Sequence, residues 1–256
     1  MNALRTALSR SRLPLLRSSA VITAKPITAA HRRPFASTTP AATATAAMSK
    51  LSADTVLEHV RNRRTYYGLT KSLGDLTPAR VEEIVKESLK HVPSSFNSQS
   101  NRVVVLFGAH HDKLWDLTAE TLRAIVPAEQ WPSTEQRIAG FKAGAASVLF
   151  FEDDAVVRHM QEQFAIYADR FAPWAGHSSA MLQLVVWTAL EAEGLGANLQ
   201  HYNPLIDDKV RKEWEVPETW RLTAQLVVGA RNGGPGAPGQ EKTFKPFSET
   251  YKSYGA

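Results

Sequence analysis

The chain has 256 residues, 43% hydrophobic and 21% charged, enough to bury one large core or two small ones, which excludes disorder throughout. No apolar run approaches the roughly 18 residues of a spanning helix and mean hydropathy is −0.26, so a soluble protein without a membrane span is expected. With no cysteine, disulfides, a thiol nucleophile and thiolate-held metals are excluded, and any redox chemistry must come from a bound cofactor.

The net charge of +5 is unevenly distributed. Residues 1–50 hold Arg5, Arg10, Arg12, Arg17, Lys25, Arg32, Arg33 and Lys50 and no acidic residue, leaving 22 basic against 25 acidic residues beyond them. The body is therefore mildly acidic, and nucleic acid is not an expected partner. Leu4, Leu8 and Leu15 share a helical stripe with Arg10 and Arg17 opposite, although Arg5 and Arg12 border the apolar side and Pro14 limits the helix. This Arg/Ser/Thr/Ala-rich composition is that of a mitochondrial presequence directed to the matrix, with a disordered basic leader as the alternative. Arg33-Pro34-Phe35-Ala36-Ser37 resembles a matrix-peptidase site, and initiation at Met48 would yield a cytoplasmic form. The expected division is a leader over 1–47 and a globular domain over 48–256.

Within that domain Ser52 caps an expected helix through Val60, and Thr77-Pro78 opens another with Val81, Ile84, Val85 and Leu89 on one face. Arg102–Phe107 and Ala146–Phe151 read as buried strands, with helices over 112–125 and 133–143 between them. A helix is expected over 153–168 and a nearly all-apolar one over 178–193, which needs cover either at the centre of a monomer or from a second subunit. A last strand, Arg221–Val228, precedes a Gly/Pro-rich loop over 233–239 and a basic tail.

Three polar clusters can carry chemistry. Arg61, Arg63, Arg64 and Thr65 end the first helix, where guanidinium forks and a hydroxyl could clasp a phosphate, though such a cluster alone also reads as a solvated helix end. Pro93-Ser94-Ser95-Phe96-Asn97-Ser98-Gln99 concentrates donors and acceptors in a turn before a strand. Lys242 and Lys245 follow the Gly/Pro-rich loop and alone read as solvated charge.

Their order is more telling than any one of them. With FKAG at Phe141, LFFED at Leu149, FAPW at Phe171, HSS at His177 and WTALEAEGLGANLQHYNP at Trp187, the set resembles the FMN-dependent nitroreductases. More narrowly, it looks like the fungal and bacterial branch typified by the yeast fatty-acid-repression-type nitroreductase-like proteins. It runs over about residues 51–252.

The resemblance implies an α+β, nitroreductase-like fold, a central mixed β-sheet surrounded by helices, in a homodimer with flavin at the interface. It implies FMN as cofactor, NAD(P)H as electron donor and a small-molecule electron acceptor, nitroaromatic or a related electrophile, served by a ping-pong mechanism in which the flavin carries the hydride and no side chain is an obligatory acid or base. By the same likeness Arg63 and Thr65 contact the FMN phosphate with Arg64 between them, Lys242 joins them from the carboxy-terminal side, and Asn97 lies at the ring edge flanked by Ser95 and Gln99. Leu199 and Gln200 face the ring through their backbone. The second basic residue of the family's carboxy-terminal clasp is Phe244 here, the usual Pro-Trp is Ser100-Asn101, and a lysine near the pyrimidine is Tyr67. Arg102, Lys245 or both compensate in this reading, with Arg102 as the charge beside the pyrimidine.

Competing constellations fit less well. Gly176-His177-Ser178-Ser179-Ala180 lacks the strand and second glycine of a nucleophile elbow, although His177 could still face the flavin pocket. Gly194-x-Gly196 follows a helix instead of a strand, as a helix C-cap would. His110, His111 and Asp112 are adjacent and diverge, so no metal site is expected. The remaining alternative is a non-enzymatic flavin-binding sensor or interaction module in lipid or redox regulation.

Overall fold

A computed structural model describes residues 52–236 and 241–255; the leader reading of residues 1–47 lies outside the described residues. The capping predictions hold: Ser52 Oγ accepts from the Thr55 N–H at 3.2 Å at the start of α1 (Ala53–Asn62). Thr77 Oγ1 accepts from the Arg80 N–H at 3.2 Å at the start of α2 (Pro78–His91). After β1 (Leu69–Thr70) and α2 come β2 (Asn101–Phe107), α3 (Gly108–Arg123), α4 (Trp131–Lys142) and β3 (Ala146–Asp153). The order continues through α5 (Asp154–Gln163), α6 (Ala168–Ala192), β4 (Leu195–Gln200), α7 (Asp207–Glu213), β5 (Trp220–Arg231) and α8 (Phe247–Thr250).

β5 is the spine of the sheet. β3 pairs along one edge and β1 continues the line of β3, while β4 takes the other edge and β2 pairs outside β3. These pairs are antiparallel, and a parallel bridge from Thr65 to Ala197 makes the sheet mixed. β3 is buried along its whole length because both of its faces are covered. Leu149 and Phe151 pack with Trp115 of α3 and Phe141 of α4, whereas Val148 and Phe150 pack with Val81 and Val85 of α2 and Leu182 and Val186 of α6. The result is an α+β layering with the sheet at the centre.

Two helical predictions need correction. The helix expected over 153–168 stops at Gln163, where Phe164 leaves the helical region (φ −130°, ψ 63°) before a single turn over Ala165–Tyr167. The helix expected from 178 begins at Ala168 and runs through Pro173 and Gly176. Pro173 removes one backbone bond there, but Phe171, Ala175, Ser178 and Ser179 are buried along the same face, and their packing holds the turns that local preference opposes.

β4 carries no strand signal of its own in Gly196-Ala197-Asn198. It is held from both sides, by β5 and by Tyr66, whose N–H donates to the Ala197 carbonyl at 2.9 Å. A Cβ on Gly196 would meet the Tyr66 Cβ at 3.0 Å and Leu69 Cδ2 at 2.9 Å, so this approach requires glycine. Gly194, at φ +93°, ends α6 and donates to the Glu191 carbonyl, the C-cap expected from sequence.

In the core, His111 is fully buried between Ser147 Oγ at 2.9 Å and the Lys142 carbonyl at 3.2 Å, and Ser147 also accepts from Trp115 Nε1. A carbonyl only accepts, so Nε2 carries the proton and Nδ1 accepts the Ser147 hydroxyl. Burial lowers the His111 pKa from its ordinary value, against the pull of the Lys142 carbonyl. The stability this supplies is full above the unfolded value of 6.5 and is lost as pH falls toward the lowered folded one. Between about pH 7.5 and about pH 5.5 the wild type should lose up to about 1.4 kcal/mol more stability than His111→Gln, whose amide does not titrate. Denaturant unfolding of both proteins at the two pH values measures it; equal losses would remove His111 as the cause.

Candidate functional site

α1 ends at Arg63, which turns extended (φ −62°, ψ 118°) and sends the chain along β4. This exit brings Arg63, Arg64 and Thr65 to one open cavity of about 340 Å³, shared with Tyr67, Gly236, Glu241 and Lys242. The Gly236 N–H donates to the Thr65 carbonyl at 2.6 Å, tying the segment after β5 to the cradle. Three cations and a hydroxyl against one carboxylate, Glu241, suit a dianionic phosphate. Thus the early arginines and the late lysine do meet. Lys245 does not line this cavity; it is 78% exposed and lies 4.0 Å from Glu249.

The Ser94–Asn101 segment forms a separate part. Phe96, Asn97 and Gln99 all have positive φ (56°, 52° and 52°), a conformation that non-glycine residues keep only under restraint. The restraints are visible: Ser94 Oγ accepts from the Gln99 N–H at 2.9 Å. Arg102 donates to the Gln99 and Asn101 carbonyls, both at 2.8 Å, and pairs with Asp153 at 3.0 Å. Ser178, buried in α6, donates to the Pro93 carbonyl and accepts from Asn101 Nδ2, each at 2.9 Å. Arg102 is therefore a clasp for the loop, and Ser178 is its anchor and no nucleophile.

So held, the loop projects outward. Ser95 is half-buried, Asn97 and Gln99 are exposed, and the exposed Phe96 ring meets Phe164, Tyr167, Phe171 and Trp174 with centroids 4.8 to 6.1 Å away. Gln99 and Arg102 line a cavity of about 540 Å³ with Lys86, Lys90, Ser94 and Asn101.

Leu199 and Gln200 occupy the end of β4, half-buried, with Gln200 Nε2 donating to Asn198 Oδ1 at 2.9 Å. Asn198 in turn donates to the Tyr66 carbonyl at 2.8 Å, joining β4 to the strand that leaves the cradle. The cradle and the loop are far apart. From Thr65 the sheet register runs through Ala197, Val228 and Ala146 to Phe107, and then along β2 to Asn101. Strand spacings of about 4.8 Å and a rise of about 3.4 Å per residue place Thr65 and Asn101 roughly 28 Å apart, farther than one flavin mononucleotide reaches.

His177 is exposed on α6, His110 accepts from Trp214 Nε1 at 3.2 Å, and Asp112 pairs with Lys71. Among the described residues no group of three or more His, Asp or Glu could hold a metal, and no helix is long and apolar enough to cross a membrane. Asp153, Ser178, Trp187 and Glu191 support the two parts; sequence reading met Ser178 only in the rejected elbow and assigned this supporting role to none of the four. Their signal was a polar residue on an apolar helix face or strand end, legible only with its partner in place.

The Nitroreductase family model matches residues 60–230. The putative nitroreductase HBN1 of Saccharomyces cerevisiae is 39% identical over 191 residues, which is 74% of this chain and 93% of that protein. Nitroreductase CinD from Lactococcus lactis, solved with chloramphenicol and with 4-nitrophenol, is 42% identical with a TM-score of 0.70, over 78% of this chain and all of that one. NfnB from Mycobacterium smegmatis, an FMN-dependent nitroreductase solved with NADPH, shares the fold at 16% identity and a TM-score of 0.60, over 79% of this chain and 99% of that one.

Proposed function

The chain belongs to the nitroreductase family, and from that premise we propose that this nitroreductase-type oxidoreductase uses FMN to pass electrons from NAD(P)H to small electrophilic acceptors such as nitroaromatics. The observation that carries the reading is the meeting of Arg63, Arg64, Thr65 and Lys242 around one cavity. Their charge and hydroxyl chemistry fit the phosphate of FMN. When bound, FMN supplies hydride and electron transfer in two alternating half-reactions, a ping-pong order. The protein's part is to hold the phosphate, present Leu199 and Gln200 along the ring, and offer Ser95, Asn97 and Gln99 at the ring edge.

The last role requires a second copy, because one chain keeps that loop roughly 28 Å from its own cradle. A homodimer is supported by an uncovered apolar face. Val56, Leu57 and Val60 of α1 and Leu184 and Val185 of α6 are all exposed, and the cavity between the two helices is lined by Val56, Val60, Leu184, Val185 and Ala189. Such a patch seeks a partner, and a two-fold axis would bring the partner's loop to each cradle.

The visible spectrum of the purified full chain tests the enzymatic reading. Oxidised-flavin absorption should bleach on anaerobic addition of NADH or NADPH and return with a nitroaromatic. A protein that stays colourless and inert after reconstitution with FMN would overturn it in favour of a binding module.

A further inference from the structure

Behind the cradle lies a buried carboxylate that the phosphate reading does not use. Glu191, in the last turn of α6, is 7% exposed. Its Oε2 accepts from the Arg64 backbone N–H at 2.9 Å, and its Oε1 accepts from Trp187 Nε1 at 2.6 Å. Trp187, one turn earlier on the same helix, presents its ring to the Arg63 guanidinium, 4.3 Å from the centroid. Arg231 donates to the Glu191 carbonyl at 3.1 Å, and its guanidinium stands 4.0 Å from Oε2.

The position is an unfavourable one for a charge. Burial pushes the Glu191 carboxyl above the usual range, opposed by the bonds from Arg64 and Trp187 and by the nearby arginines, and a leucine would cost less in such a place. What a leucine could not do is serve the backbone where α1 unravels. The Arg63 N–H still bonds to the His59 carbonyl and the Tyr66 N–H already bonds to Ala197, but the Arg64 N–H between them is served by Glu191. One carboxylate thus fixes the direction in which Arg64 leaves the helix and the orientation of the ring beneath Arg63.

Building on the reading of the cradle as an FMN phosphate site, we propose that Glu191 is a positioning residue for phosphate recognition, acting through the Arg64 amide and the Trp187 indole to aim the two arginines. It touches no cofactor itself. The readout is therefore selectivity for FMN over riboflavin, which lacks the phosphate. Each flavin is titrated into the apoprotein and followed by flavin fluorescence, with folding checked by circular dichroism.

Glu191→Gln offers one acceptor and one donor to two N–H groups, so one of them loses its partner. FMN affinity should fall about tenfold, the scale of one lost buried hydrogen bond to a charged group, with riboflavin affinity unchanged. In Glu191→Gln/Trp187→Phe the competing donor is gone, the amide oxygen is free for Arg64, and FMN affinity should return to that of Trp187→Phe alone. If Glu191→Gln does not fold, Trp187→Phe carries the comparison: FMN affinity should drop and riboflavin affinity hold. Equal losses for both flavins, or no loss, would overturn the positioning role. The underlying reading fails differently, in a wild type that does not prefer FMN to riboflavin or an Arg63→Ala/Lys242→Ala protein that keeps the preference. If the double alanine variant loses that preference and Glu191→Gln keeps it, only the role of Glu191 falls.

Discussion

Arg63→Ala combined with Lys242→Ala should weaken FMN binding by about 100-fold or more, on the scale of two charge-assisted hydrogen bonds at about 1.5 to 3 kcal/mol each. The protein should stay folded. Lys242 is exposed and Arg63 half-buried, and among the described residues neither forms an ion pair within 4.0 Å. The contact of Arg63 with Trp187 is a cation–π pair of the kind that contributes about 0.5 to 1 kcal/mol at partly exposed sites. Equilibrium titration of the apoprotein measures the effect, and an unchanged dissociation constant would show that the phosphate binds elsewhere. The two residues come from opposite ends of the domain, so loss of flavin on changing either one alone would point to the same cavity.

A larger change is expected from Val185→Glu. Val185 is 42% exposed on α6 and faces the same cavity as Val56 and Val60 of α1. At a two-fold interface the substitution would bury two unpaired carboxylates, a cost of several kcal/mol that an ordinary dimer does not survive at micromolar concentration. Sedimentation velocity should give a monomer with native circular dichroism. Flavin should be lost with the partner, because the loop bearing Ser95, Asn97 and Gln99 would no longer reach a cradle. The two variants are distinguishable: Arg63→Ala/Lys242→Ala should remain a dimer without flavin, and Val185→Glu should be neither dimer nor holoprotein. A dimeric, flavin-loaded Val185→Glu would place the interface on another face.

Much of the frame was legible because its signals are local. A hydroxyl three residues before an orphan N–H announces a helix start wherever it occurs, so Ser52 and Thr77 could be read directly. The apolar run of β3 required burial on both faces whatever covered them. The path of α6 was misjudged because Pro173 and Gly176 are local breakers, whereas the burial of Phe171 and Ala175 that overrides them is a property of neighbours. β4 was missed for the same reason, since its strand geometry is imposed by Tyr66 and β5.

The candidate site divides along the same line. The family and the candidate residues were legible in the sequence, because charge, hydroxyls and their order along the chain are properties of the residues themselves. Only the folded chain shows that Arg63–Thr65 and Lys242 share a cavity, that Lys245 stands outside it, and that Arg102 donates to two carbonyls of the loop before β2. It alone placed Ser178 and Glu191 behind the two parts, and it separated cradle and loop by the width of the sheet. Those facts depend on contacts between residues far apart in the chain, and such contacts exist only once the sheet has brought its strands into register.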